Sequence, residues 1–104
     1  MALNSRNWKA VQSSVDFAGS KHVLTITGEV EVGRTNETPT LGESVPQGIV
    51  DDILLMDVQI TVSGDVGADV LTWKEASYTR EIEPGQFREV TVQGVVETQT
   101  VDVE

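Results

Sequence analysis

His22-Val23-Leu24-Thr25-Ile26-Thr27-Gly28-Glu29-Val30-Glu31-Val32 reads as a strand before anything else about the chain is considered. Its even positions, Leu24, Ile26, Gly28, Val30 and Val32, are apolar or small, while Thr25, Thr27, Glu29 and Glu31 alternate with them. Side chains of an extended chain point to opposite faces in turn, so this two-residue period describes one dry face and one wet one. Leu54 to Val62 repeats the pattern, with Leu54, Met56, Val58, Ile60 and Val62 set against Leu55, Asp57, Gln59 and Thr61.

The remainder of the chain follows the same rule. It holds 17 Val, 5 Ile and 11 Thr but only 5 Ala. β-branched side chains fit a pleated, half-buried surface and lose rotamer freedom in helices. Between Asp69 and Glu83 apolar residues fall on both parities, which predicts a long strand whose buried face switches through a bulge or bend. Glu83-Pro84-Gly85-Gln86 predicts a type II turn, with Pro presetting the first central angle and Gly accepting positive φ at the second. That turn is expected to close a hairpin with a strand over Phe87 to Gln93. Gly94 then leads into a last, edge-like segment from Val95 to Val103. Near the N-terminus Trp8, Val11 and Val15 suit one face of a helix, but Val11, Ser13, Val15 and Phe17 suit strand alternation. The strand is preferred, because its backbone groups find partners in a sheet that a lone short helix lacks.

Seven short strands in 104 residues predict an all-β, single-domain antiparallel β-sandwich of immunoglobulin-like size spanning 1–104, with a partly open β-barrel as the alternative. A chain this long buries roughly two-thirds of its unfolded surface and needs no staple. The connection over 33–52 is long, with three Gly and two Pro. It is expected to be a crossover between sheets carrying a short edge strand near Thr40-Leu41, or a binding loop held on a rigid scaffold. Leu41, Val45, Ile49 and Val50 are its large apolar residues.

Charge narrows the partners. Seventeen acidic against seven basic side chains give a net charge of -10. Binding a phosphate backbone requires clustered Lys and Arg, so nucleic acid is excluded as an expected partner, and anionic lipid with it. No apolar run approaches the ~18 residues of a membrane span. The start of the chain lacks a basic segment followed by an apolar one, and there is no Cys, which together suggest a soluble, cytoplasmic protein.

Chemistry is sparse. With one His and no Cys, a cysteine-ligated or multi-histidine zinc site within one chain is excluded. His22 is the single side chain that titrates near neutrality unaided, yet no G-x-S-x-G elbow accompanies it, and it is expected to be an exposed turn residue. No catalytic residues are assigned. Asp65 and Asp69, four apart around Gly67, form the most calcium-like segment, although Val66 and Ala68 would donate only main-chain oxygen. Turn residues between strands are the simpler explanation for that segment. Trp73 and Tyr78 are candidate contact residues for a ligand or partner; five apart on a regular strand, they fall on opposite faces.

These observations favour a non-catalytic module that recognises another protein, or its own copy, through a sheet edge or the 33–52 connection, and the acidic surface permits a basic partner. The alternative is a small-ligand module holding a saccharide, with calcium at Asp65 and Asp69. A small carboxylate-dependent hydrolase ranks third, because no nucleophile, base and orienting group can be named together.

Overall fold

The alternation around Leu24 builds the centre of the molecule. The computed structural model describes residues 3–14, 21–64 and 67–104. Seven strands run in order: β1 Ser5–Ser14, β2 His22–Val32, β3 Glu37–Glu43, β4 Ile53–Val62, β5 Thr72–Ile82, β6 Glu89–Gln93 and β7 Gln99–Asp102. They form two sheets, β1-β2-β5 and β3-β4-β6-β7, packed as a small β-sandwich. Leu24, Ile26 and Val30 of β2 are fully buried with Leu54 and Met56 of β4 and Val90 and Val92 of β6. Each such side chain contributes on the order of 1.5–3 kcal/mol by leaving water.

Four strand pairs are antiparallel, but β4 and β6 run parallel, Ile53 beside Glu89 and Asp57 beside Gln93. The expected turn at residues 83–86 is present: Gln86 N–H donates to Glu83 C=O at 3.0 Å, and Gly85 has φ 71°. It does not close a hairpin. β5 lies in one sheet and β6 in the other, so the turn carries the chain across the sandwich, and Phe87 is buried in the core just after it. Asp52 C=O then receives Arg88 N–H at 2.8 Å, setting β6 beside β4.

β5 also differs from expectation. It pairs with β2 in unbroken register from Thr72 to Ile82, with no bulge and no change of face. Ala76, Tyr78 and Ile82 pack inward, and the exposed Val70 and Leu71, which made the sequence look two-sided, precede the strand. The bulge occurs instead in β1, where the register with β2 shifts between Arg6 and Lys9 and Asn7 adopts φ 59°. That shift turns both Trp8 and Ala10 toward the core. The strand reading of this region holds for Ser5–Ser14, but the face that packs inward carries Trp8 and Ala10, with Val11 half-buried and Ser13 exposed; Val15 and Phe17 lie outside the described residues.

The last segment is a strand over Gln99–Asp102 alone, and its flanks are bonded across to β1. Leu3 bridges Val95 and Ala10 bridges Val103, both parallel, while Glu104 N–H reaches Ala10 C=O at 2.9 Å. β7 is the edge strand of its sheet, as expected, and the residues flanking it bridge to Leu3 and Ala10. Within the 33–52 connection the short strand centred on Thr40-Leu41 is present as β3.

Candidate functional site

Beyond Glu43 the chain leaves β3 and does not enter another strand until Ile53. Ser44 N–H continues the β3–β4 ladder by donating to Leu55 C=O at 2.9 Å. Gln47 then takes the place of the missing strand. Its side-chain carbonyl accepts Leu55 N–H at 2.9 Å, and its amide donates to Leu55 C=O at 2.9 Å and to Ser44 C=O at 2.8 Å. Gly48 lies against the same residue, with room for a Cβ only 3.2 Å from Leu55 Cδ1. The segment is pinned at its middle, and its apolar side chains point away: Val45 is 93% exposed, Ile49 100% and Val50 47%. Exposed aliphatics scattered singly are ordinary, but here three fall within six residues of one anchored loop.

Sheet edges offer less. The backbone of even residues along β3 bonds to the β4 side, as Ser44 N–H to Leu55 C=O and Ser63 N–H to Asn36 C=O show at either end, so the backbone groups of the odd residues turn outward, and the one in mid-strand is Pro39, which has no N–H. Lys74 of β5 donates to the outward carbonyls of Thr35 at 2.8 Å and Glu37 at 2.6 Å. Farther along the same seam Glu43 accepts Arg80 Nη1–H at 2.9 Å and the Tyr78 hydroxyl. Backbone pairing by an added strand would meet a missing donor and occupied acceptors there.

Trp73 and Tyr78 do fall on opposite faces of β5. Trp73 points outward, and the Arg6 guanidinium covers its ring 4.0 Å from the centroid. Tyr78 packs against the core, and its hydrogen bond to Glu43, with burial second, holds the phenol pKa above its usual 10.0. Arg6 also bonds Glu29, as does Asn7 Nδ2 at 2.7 Å; these two bonds, Asn7 first, lower the Glu29 pKa. Asp69 is largely exposed and pairs with Arg34 at 3.1 Å. Asp65 lies outside the described residues. Among the described residues no group of three or more His, Asp or Glu side chains is placed to hold a metal ion. His22 is not an exposed turn residue: it begins β2 half-buried, beside Ile82, with no hydrogen-bond partner for Nδ1.

Trp8 carries a geometry that strand parity did not reveal. Its ring covers Gly28, where a Cβ would lie 2.2 Å from Cε3, and its Nε1–H donates to Ser5 Oγ at 2.9 Å. Only the bulge puts it there, and no residue type announced that bulge. Among the described residues no helix is long and apolar enough to cross a membrane. Compared with protein-family models, curated proteins and solved structures, the chain finds no match in any of the three.

Proposed function

We propose that this domain is a non-catalytic recognition module that docks another protein, or a second copy of itself, through residues 44–50. The observation that carries the reading is Ile49, wholly exposed on a loop fastened at Gln47. A pinned loop loses little conformational entropy on docking, and aliphatic side chains held out in water gain when a partner covers them. Pro39 and Lys74 make strand addition along β3 the weaker route, so the loop takes precedence over the sheet edge. The acidic surface favours encounter with a basic partner.

Sedimentation velocity across a concentration series tests self-docking, and affinity capture from native extract tests a foreign partner, each with the natural chain and with Ile49→Ser. Support is an assembly, or a captured protein, that disappears in the variant. The reading is wrong if the natural chain stays monomeric and no captured protein depends on Ile49.

A further inference from the structure

Between the clamps at Leu3–Val95 and Ala10–Val103, β1 and the C-terminal segment run side by side in parallel, and the C-terminal segment carries one residue more than β1. Two shallow openings lie along this seam, one of about 210 Å³ beside Asn4 and Val96 and one of about 310 Å³ beside Trp8 and Val101. The larger opening alone reaches the ~300–1,000 Å³ range of small-ligand sites. Asn4, Ser5 and Trp8 line one lip; Glu97, Gln99 and Asp102 line the other.

The β1 bulge sits between the two openings. Asn7 holds a left-handed φ of 59°, unusual for a residue with a side chain, and Glu29 fixes it there by accepting its amide at 2.7 Å. Bulges and strained residues of this kind re-aim neighbouring side chains and cluster at binding sites. What this one re-aims is Trp8, which would otherwise follow the strand's alternation. Of the three large amphipathic rings, Trp73 is covered by Arg6 and the Tyr78 hydroxyl is engaged by Glu43. Trp8 is packed over Gly28 and bonded to Ser5 through its N–H, and it also lines the larger opening.

We infer that this seam binds a neutral oligosaccharide. An indole suits the apolar C–H face of a sugar ring. Carboxylates of Glu97 and Asp102 accept hydroxyl protons, while the amides of Asn4 and Gln99, each with one N–H engaged by Glu31 and by Glu97 C=O, keep a second N–H and a carbonyl oxygen for a ligand. Lys9 lines the larger opening too, but Asp102 and Glu104 outnumber it there and Glu97 lines the other, so phosphorylated or acidic sugars are disfavoured. This site is separate from residues 44–50 and stands without the protein-docking reading.

The test uses Trp73→Phe protein, so that Trp8 alone emits, titrated with cellohexaose, maltohexaose, xylohexaose and chitohexaose to about 10 mM, above the millimolar dissociation constants of weak sites. At least one sugar should shift the emission saturably. Gln99→Ala or Asp102→Ala should weaken that sugar about tenfold or more while leaving the melting temperature near that of the parent. A flat titration across the panel in folded protein overturns the assignment. So does a saturable shift that both lip variants leave intact, because binding would then lie elsewhere.

Discussion

Gln47 and Leu55 pair as two strands would: the Gln47 side-chain amide both accepts from and donates to the Leu55 main chain, each at 2.9 Å. A side chain thereby extends the β3–β4 ladder past the end of β3, and the residues around it are displayed instead of folded inward. Gln47→Ala removes these bonds and the one to Ser44. At about 1 kcal/mol net for each, several kcal/mol are at stake, or roughly 4–8 °C of melting temperature per kcal/mol. Hydrogen exchange at the Leu55 amide should accelerate in the variant; unchanged protection there would show that the pairing does not hold the loop.

Gly28→Ala places a methyl group where the Trp8 ring already lies, 2.2 Å from Cε3. Overpacking of this kind costs about 1–3 kcal/mol, and more when neighbours cannot move. The Trp8→Leu background should recover most of that loss. Thermal melts of the two single variants and the double variant measure the coupling, and simple additivity would mean that ring and backbone are not in contact.

Glu43→Gln replaces the carboxylate that holds the Tyr78 phenol protonated. Absorbance at the phenolate band should show Tyr78 titrating above its ordinary 10.0 in the natural protein and closer to it in the variant. The folded-state value is raised, so the associated stability is fully present below about pH 10 and is lost as pH rises through the folded value. A melting temperature recorded from neutral to strongly alkaline pH should fall more steeply in the natural chain.

Arg88→Ala frees Asp52, whose pKa lies below its ordinary 3.8 chiefly because Arg88 Nε–H donates to it at 2.8 Å. For a lowered carboxylate the stability is present above the unfolded value and is lost as pH falls through the folded one. Carboxylate chemical shifts followed through acid titration should move the Asp52 midpoint upward in the variant and leave Glu29, held by Asn7 and Arg6, where it was.

Much of this architecture is written locally. β2 alternates buried with half-buried residues without a break from Leu24 to Val32 because its inward face packs against the second sheet, so every inward position is apolar or small. The turn at Pro84-Gly85 is equally plain, yet the same turn serves a hairpin or a crossing between sheets. The burial of Phe87 and the bond from Arg88 to Asp52, thirty-six residues away, decide which. Parity correctly separated Trp73 from Tyr78, but it could not place Trp8, because one inserted residue between Arg6 and Lys9 reverses the faces of β1. Val45, Ile49 and Val50 were visible as apolar residues in a polar stretch. Their exposure depends on Gln47 reaching Leu55, a contact made in three dimensions that no period encodes.

A photo-crosslinking residue placed at position 49, with one at the exposed Val62 as control, tests docking through residues 44–50 most directly. Ile49 touches no core, so the substitution should change stability by no more than about 0.5 kcal/mol. Irradiation in native extract should give a discrete adduct from position 49 that position 62 does not give, its mass distinguishing a second copy from a foreign protein. Adduct formation at position 49 no greater than at position 62 would contradict docking through this loop.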